Sequence, residues 1–190
     1  MNIFRIRAAI ATVGLASGLG LCLTAFYDND KAGAASGSAS ASASGSASGL
    51  GSACTDADTE VRVSRVASPV DHLLLTVTNT GSGGCTAYGA PGLRFDDGQE
   101  VVPCIEDSRP QSAVSLAAGQ SAYAALRLTG DPGNGVGGFT ASQLSVLFAT
   151  QDLNGSVGAP VTVALPAETF TDSGAAVTYW QSDRQDALRF

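Results

Sequence analysis

The sequence predicts an all-β domain, an antiparallel β-sandwich of about seven to nine strands, preceded by an N-terminal export segment. From residue 60 onward, apolar and polar residues alternate as they do on half-buried strands. Turn signals rich in Gly, Pro, Asn and Asp separate these runs. No long window carries an apolar stripe at the helical spacing of about 3.6 residues. Short strands without intervening helices are typical of a sandwich.

The N-terminal part has the layout of an export signal followed by a spacer. Arg5 and Arg7 precede a stretch of nineteen uncharged residues, 8–26. Residues 32–53 contain only Ala, Gly and Ser apart from Leu50. We therefore expect a signal peptide or signal anchor at residues 1–26, an Ala/Ser/Gly-rich flexible linker at 27–53, and the β-sandwich at 54–190.

This layout predicts an extracytoplasmic domain. Cleavage of the apolar segment would secrete it, whereas a retained segment would tether it to the outer face of the cytoplasmic membrane, with the arginines inside. Lipoprotein processing requires a small residue immediately before the cysteine that is lipidated. Because Leu21 precedes Cys22, lipidation of Cys22 is disfavoured. We expect membrane contact only through the N-terminal segment, if it is uncleaved.

Alternating or continuous apolar runs predict where the individual strands lie. The first begins near Glu60, and the clearest covers residues 72–78, where Leu73, Leu75 and Val77 share one face. Further runs predict strands at Val101–Ile105, Ala113–Leu116, Ala122–Leu128, Leu144–Phe148, Val161–Leu165 and Val177–Trp180.

Two details of the sequence predict a turn and the orientation of two aromatic side chains. Asn154-Gly155 predicts a tight hairpin, because both residues tolerate positive φ. Tyr179 and Trp180 should point to opposite faces of the last strand, so one is expected in the core and the other exposed.

Charge excludes one class of partner. Residues 54–190 contain seven arginines, no lysine and fifteen acidic residues, a net charge of −8. Nucleic acid attracts clustered Lys and Arg, so we expect no nucleic-acid binding. An acidic surface of this kind is typical of a soluble domain.

Three cysteines follow the spacer: Cys54, Cys85 and Cys104. In an oxidising compartment one pair would leave one thiol over. We favour a Cys54–Cys85 disulfide, which would stabilise the fold by roughly 3–4 kcal/mol in the chain-entropy model. A Cys85–Cys104 disulfide would close a shorter loop and stabilise the fold slightly less. The difference in stabilisation is too small to decide between the two pairings. As the spare residue, Cys104 is expected to pack as a small buried hydrophobe.

No constellation of residues predicts catalysis, a cofactor or a metal. His72 is the only histidine, and we interpret it as a surface residue at a strand end. Asp96, Asp97 and Glu100, like Asp152 with Asn154, resemble fragments of calcium loops but lack the full ligand series, and such residues are common in turns.

Several stretches resemble a family of exported actinobacterial proteins called domain of unknown function 4232. They cover nearly all of residues 54–190. The segments that carry the resemblance are Cys54-Thr55, His72-Leu73-Leu74-Leu75-Thr76-Val77-Thr78-Asn79-Thr80, Cys85-Thr86-Ala87-Tyr88-Gly89-Ala90-Pro91, Glu106-Asp107-Ser108-Arg109-Pro110-Gln111, Leu116-Ala117-Ala118-Gly119-Gln120-Ser121-Ala122-Tyr123 and Ala176-Val177-Thr178-Tyr179-Trp180-Gln181.

The resemblance implies an immunoglobulin-like sandwich in an exported or lipid-anchored protein. It also implies that Cys54 pairs with Cys85, leaving Cys104 outside the shared pair. Phe26 stands where a lipid-modified cysteine would be expected, which departs from the lipoprotein members. The family brings no activity, substrate or catalytic residue.

The sequence thus favours a non-enzymatic module of the cell envelope, or a secreted one, that binds an envelope protein or wall polymer. The alternative is an envelope carbohydrate hydrolase, which would need two convergent carboxylates among Glu106, Asp107, Glu168 and Asp172. A third possibility is a redox role for Cys104.

Overall fold

The computed structural model of the chain describes residues 51–130 and 136–190. The predicted signal segment, 1–26, and most of the predicted linker lie outside the described residues. The last residues of that linker are described, and they contact the domain: Ser52 accepts a backbone hydrogen bond from Thr86 at 2.8 Å, and the carbonyl of Gly51 accepts one from the hydroxyl of Tyr88 at 2.8 Å. The prediction of an all-β domain is confirmed.

Nine strands alternate along the described chain with short turns, one 3₁₀ turn and one short helix. The strands are β1 (Thr59–Arg65), β2 (His72–Asn79), β3 (Cys85–Ala87), β4 (Gly92–Phe95), β5 (Val114–Leu116), β6 (Ser121–Arg127), β7 (Phe139–Ala149), β8 (Ser156–Thr171) and β9 (Ala176–Val177). The 3₁₀ turn covers Glu106–Ser108 and the helix α1 covers Arg184–Ala187.

The strands form two main antiparallel sheets and one small pair. The first sheet has the order β1-β2-β6-β9, and the second has the order β4-β7-β8. Strands β3 and β5 pair with each other. The register of the first sheet sets Leu75 opposite Val63 on one side and Ala124 on the other, so the apolar face of β2 continues across the sheet.

The larger of two hydrophobic clusters contains residues of both main sheets. Its fully buried members include Leu73, Leu75, Val77, Ala124 and Leu126 from the first sheet and Leu93, Leu144, Val146 and Phe148 from the second. Burying each large aliphatic side chain stabilises the fold by about 1.5–3 kcal/mol, so this cluster is the main source of stability.

A second, smaller cluster explains an apolar residue on the other face of β2. Leu74 is buried with Ala125 and Ala187, the last of which belongs to α1. Asp183 caps this helix by accepting a hydrogen bond from the backbone of Gln185 at 2.6 Å. The helix therefore covers the outer face of the first sheet at this point.

Not every predicted strand forms. Residues 101–105 make only an isolated bridge, between Cys104 and Val177, because Pro103 has no N–H to donate to a ladder. Strand β9 ends at Val177, short of the predicted Trp180. Strands β3 and β4 were not predicted, since three or four residues give little room for alternation.

The predicted hairpin at Asn154-Gly155 joins β7 to β8, but its loop is not tight. Ala149 pairs with Ser156, which leaves six residues between the strands. The residue with positive φ is Leu153, at 58°, rather than Asn154 or Gly155. Side-chain hydrogen bonds to Asp152 from Thr150 and Asn154 hold this wider loop.

The structure joins Cys54 to Cys85 by a disulfide, the pair that the family resemblance implies. The two residues are 31 positions apart, and both are buried. The bond ties the segment before β1 to the start of β3.

We predict that the double variant Cys54→Ser/Cys85→Ser will lose roughly 3–4 kcal/mol of unfolding free energy, because the unfolded chain regains the freedom that this loop removes. Urea denaturation of the two proteins measures the loss. Cys104→Ser changes an exposed, unpaired cysteine and should stay within about 0.5 kcal/mol of the wild type. Equal stabilities of the double variant and the wild type would contradict the prediction.

Candidate functional site

Three segments that lie far apart in sequence meet at one end of the domain. The segment after β9 connects the other two: the backbone N–H of Tyr179 donates to the hydroxyl of Ser108 at 2.9 Å, and that of Trp180 donates to the carbonyl of Gly89 at 3.1 Å. The side-chain amide of Gln181 donates to the carbonyl of Ser108 at 2.5 Å. These bonds hold the connection after β3 and the 3₁₀ turn against the C-terminal segment.

A cleft of about 260 Å³ opens where the segments meet. We call it the Trp180 cleft. It is lined by residues 87–89, 109–113, 151, 153 and 179–180. Its volume lies slightly below the roughly 300–1,000 Å³ of pockets that enclose drug-sized ligands, so it suits a small group or a short segment of a larger partner.

Gly89 shapes one wall of this cleft. Its φ is +61°, a conformation that glycine adopts without steric cost. A Cβ at this position would lie 2.9 Å from the side chain of Leu153, which also lines the cleft. A larger residue here would therefore strain the backbone and press on the β7–β8 loop.

Arg109 and the phenol of Tyr179 form the polar wall, and Glu106 bonds to both of them from outside the lining. Arg109 donates to the carboxylate of Glu106 at 2.6 Å and also to the hydroxyl of Tyr179. The same hydroxyl donates to Glu106, 3.0 Å from Oε1, and the guanidinium carbon lies 4.5 Å from the centre of the Tyr179 ring. The 3₁₀ turn makes this possible, since it brings residues three apart onto one side.

The contacts among Glu106, Arg109 and Tyr179 shift the pKa values of Glu106 and Tyr179. Hydrogen bonds from Arg109 and then Tyr179 lower the pKa of Glu106 below its ordinary value. Burial, followed by the bond to Glu106, raises the pKa of Tyr179, so the phenol stays protonated at neutral pH. Because Glu106 matches the charge of Arg109, the pair presents no net charge to the cleft.

Trp180 connects the cleft to the core. Its side chain is 1% exposed, and its ring lies nearly parallel to that of Phe148, with centroids 6.3 Å apart. Its indole N–H has no hydrogen-bond partner among the described residues. A buried donor in this state costs roughly 1–3 kcal/mol.

The expectation that one of Tyr179 and Trp180 is exposed was wrong. Both are buried, because the chain stays beside β6 after β9 but carries one extra residue between Thr178, which bonds to Ala125, and Gln181, which bridges Tyr123, and this bulge breaks the alternation of faces. Arg109 covers the ring of Tyr179.

The expectation of a buried Cys104 was also wrong, since the structure leaves it exposed. The segment around it is held to the domain by backbone bonds, from Val102 to Leu93 and from Ile105 to Val177, and these bonds leave the Cys104 side chain on the surface. His72 is half-buried at the start of β2, where Nδ1 lies 2.6 Å from the carbonyl of Val70.

The acidic turns use their carboxylates for local bonds. Asp96 accepts from the backbone of Ser142 at 3.0 Å and of Gln143 at 2.9 Å, bonds that lower its pKa. Asp152 accepts from the side chains of Thr150 and Asn154. Within residues 51–130 and 136–190, no group of three or more His, Cys, Asp or Glu residues is arranged to hold a metal ion.

The four carboxylates of the hydrolase alternative do not gather at the cleft, which none of them lines. Glu106 belongs to the Arg109–Tyr179 cluster, and Glu168 is exposed on β8. Asp172 accepts from the backbone of Gly130 and Gly174 beside a different cavity, of about 370 Å³.

The family model described as Domain of unknown function (DUF4232) matches residues 54–181. The chain belongs to this family. The residues that line the Trp180 cleft all lie within the DUF4232 match, whereas α1 lies beyond it. No curated protein and no solved structure matches the chain.

Sequence reasoning did not identify the cleft. It singled out Glu106 only as a carboxylate, and it gave Arg109, Gln111, Ser112 and Gln151 no role. The signal that pointed here was the resemblance itself, because three of the segments that carry it, 85–91, 106–111 and 176–181, supply most of the lining.

We predict that Glu106→Gln will lower the urea midpoint at neutral pH and that the difference from the wild type will shrink in acid. A carboxyl whose folded pKa lies below its ordinary 4.5 contributes its stability above that value and loses it as pH falls through the folded pKa. Urea midpoints measured from neutral pH to about pH 3 follow this change.

The control for this prediction is Glu100→Gln, which alters an exposed carboxylate with no hydrogen-bond partner among the described residues. Its urea midpoint at neutral pH should stay close to that of the wild type. A Glu106→Gln difference that is constant across the pH range would show that the carboxylate does not stabilise the fold through its charge.

Proposed function

We propose that this protein is an exported, non-enzymatic module of the cell envelope, or a secreted one, that binds an envelope protein or wall polymer through the Trp180 cleft. The observation that carries the proposal is the convergence of three distant family segments on one cleft. Pockets with a few convergent polar groups are the usual form of a binding site.

Two features support an extracytoplasmic location. The disulfide is typical of proteins that fold in an oxidising environment. Arg5 and Arg7 followed by an uncharged apolar stretch have the pattern of an export signal. Among the described residues, no helix is long and apolar enough to cross a membrane.

The proposed architecture is an immunoglobulin-like sandwich, and the strand order supports it. In that fold, strands A, B, E and D form one sheet and C, F and G the other. Here β1, β2 and β6 have the neighbours of A, B and E, and β4, β7 and β8 have those of C, F and G. The C-terminal β9 occupies the place of D, beside β6.

This proposed fold departs from antibody domains in its disulfide. Their bond joins strands B and F across the core. The bond here joins the segment before β1 to β3. In the sandwich we propose, it therefore ties the β3–β5 pair to the segment before β1 and does not link the two main sheets.

A binding role is favoured over hydrolysis because of where the carboxylates lie. A glycosidase needs two of them flanking one cleft. None of Glu106, Asp107, Glu168 and Asp172 lines the Trp180 cleft, and Glu106 is already paired with Arg109.

We predict that filling the cleft abolishes capture of the partner. The full chain with a C-terminal tag, its Ser112→Trp variant and a control variant, Gln99→Trp, are used to capture components of an envelope extract. Ser112 and Gln99 are both exposed, but only Ser112 lines the Trp180 cleft. A component bound by the wild type and the control should fall at least about tenfold with Ser112→Trp, the loss expected when a central contact is blocked.

Equal capture by all three proteins, measured by quantitative mass spectrometry, would remove the cleft from the function. Recovery of the protein from the cytosol with Cys54 and Cys85 reduced would refute the export part of the proposal.

A further inference from the structure

We propose that a second cavity, at the other end of β7 from the Trp180 cleft, binds an arginine side chain of a partner protein. The guanidinium pairs with the carboxylates of Glu100 and Asp172, and the apolar stem lies against the ring of Phe139. This inference goes beyond the proposed function, because it assigns a second binding surface and the chemistry of its ligand.

The cavity has a volume of about 370 Å³, within the roughly 300–1,000 Å³ of pockets that enclose ligands. It lies between the connection after β4, the start of β7 and the turn from β8 to β9. We call it the Phe139 groove; it is lined by residues 95, 98–103, 136, 137, 139, 171–173 and 175. Strand β7 begins in this groove at Phe139 and ends at Ala149, two residues before the Trp180 cleft is reached at Gln151.

The walls of the groove are apolar and face solvent. Among the described residues, seven large hydrophobic side chains are exposed, and three of them line this groove. They are Val101, Val136 and Phe139, which are 51%, 75% and 47% exposed. Exposed apolar residues gathered around one cavity mark an interaction surface, so we expect the ligand to bring apolar atoms as well as charge.

Hydrogen bonds fix two of the walls before a ligand arrives. The backbone N–H of Val102 donates to the carbonyl of Leu93 at 2.9 Å, which holds the connection after β4 along that strand. Across the groove, the backbone N–H of Val136 donates to the hydroxyl of Ser173 at 3.0 Å, which joins the start of β7 to the β8–β9 turn. A preformed groove lowers the entropic cost of binding.

The charge of the lining is negative and has no counter-charge. Glu100 and Asp172 line the groove, whereas none of the described lining residues is Lys, Arg or His. Glu100 is exposed and has no hydrogen-bond partner among the described residues. Asp172 accepts through Oδ1 from the backbone of Gly130 at 2.9 Å and of Gly174 at 2.8 Å, and no described residue donates to its Oδ2. The groove therefore favours a cation and disfavours phosphate or carboxylate groups.

A guanidinium combines the properties that this lining selects. It carries N–H donors for carboxylates and no acceptor, it is weakly hydrated, and it stacks on aromatic rings. Phe139 provides such a ring, which is held at 90° to the ring of Phe95 with centroids 6.2 Å apart and stays half-exposed. The aliphatic stem of arginine covers apolar surface while its head remains near water. A neutral ligand would gain nothing from the two carboxylates.

A pair of matched peptides tests the proposal. The ¹⁵N-labelled full chain is titrated with a valine–arginine–valine tripeptide blocked at both ends, and with the same peptide in which citrulline replaces arginine. Citrulline has nearly the same shape and no charge. We expect saturable shifts of the backbone N–H signals of residues 98–102 and 136–139 with the arginine peptide, and about fivefold weaker binding of the citrulline peptide.

Two substitutions separate the charge from the ring. Glu100→Gln should weaken binding of the arginine peptide about three- to fivefold, whereas Glu60→Gln, an exposed carboxylate of β1 outside the groove, should leave it unchanged. Phe139→Leu keeps an apolar side chain and removes the aromatic face, so we expect a loss of about two- to fivefold. Phe190→Leu, at an exposed ring that does not line the groove, is its control.

Each outcome supports or overturns the inference. Equal affinity for the two peptides, or unchanged affinity after Glu100→Gln, would show that the carboxylates do not recognise the guanidinium. Chitotriose is titrated as a third probe, and shifts of the groove signals with this sugar alone would assign the groove to a neutral polymer. Absence of shifts with every probe would leave the groove without a ligand. All of these results overturn the proposal.

The two binding surfaces are distinguished by the variants that fill them. Gln99 lines the Phe139 groove and Ser112 lines the Trp180 cleft. Gln99→Trp should therefore abolish binding of the arginine peptide, and Ser112→Trp should leave it unchanged. If the peptide fails to bind while Ser112→Trp still removes a component captured from the envelope extract, the second surface is refuted and the proposed function stands.

Discussion

The burial of two apolar sheet faces against each other is the constraint on which the rest of the structure depends. Leu73, Leu75 and Val77 on β2 are fully buried in the same cluster as Leu144 and Val146 on β7. Because side chains alternate along a strand, a shift of one residue would expose all of them, so this contact fixes the register of both sheets. The connections at the end of the sheets, and with them the Trp180 cleft, take their positions from that register.

The C-terminal segment after β9 converts this scaffold into a site. Thr178 bonds to the backbone of Ala125 on β6, Tyr179 and Gln181 bond to Ser108, and Trp180 bonds to Gly89. Four successive residues thus contact three parts of the chain. The same segment buries Trp180 in the core beside the cleft, so the wall of the cleft and the core share a residue.

Some elements of the fold were predictable from the sequence and others were not. Strands β2 and β6 were predicted from alternating or apolar runs, and in each strand one face is fully buried in the main cluster. The run at residues 101–105 was apolar too, but Pro103 and its place beside β9 prevent a ladder. For the candidate site, the sequence brought Glu106, Tyr179 and Trp180 to notice singly. Their meeting depends on a 3₁₀ turn, a strand that ends early and an extra residue beside β6, none of which has a periodic signature.

The sequence by itself determined the all-β class and the face of β2 that is buried, because alternation and turn residues act between near neighbours. It also supplied the segments that place the chain in its family. Only the tertiary structure decided that Cys104 is exposed, that Tyr179 is buried under Arg109 and that three distant segments enclose a cleft. These outcomes depend on contacts between residues far apart in sequence, such as Tyr179 with Arg109, seventy positions away, and no local pattern encodes such contacts.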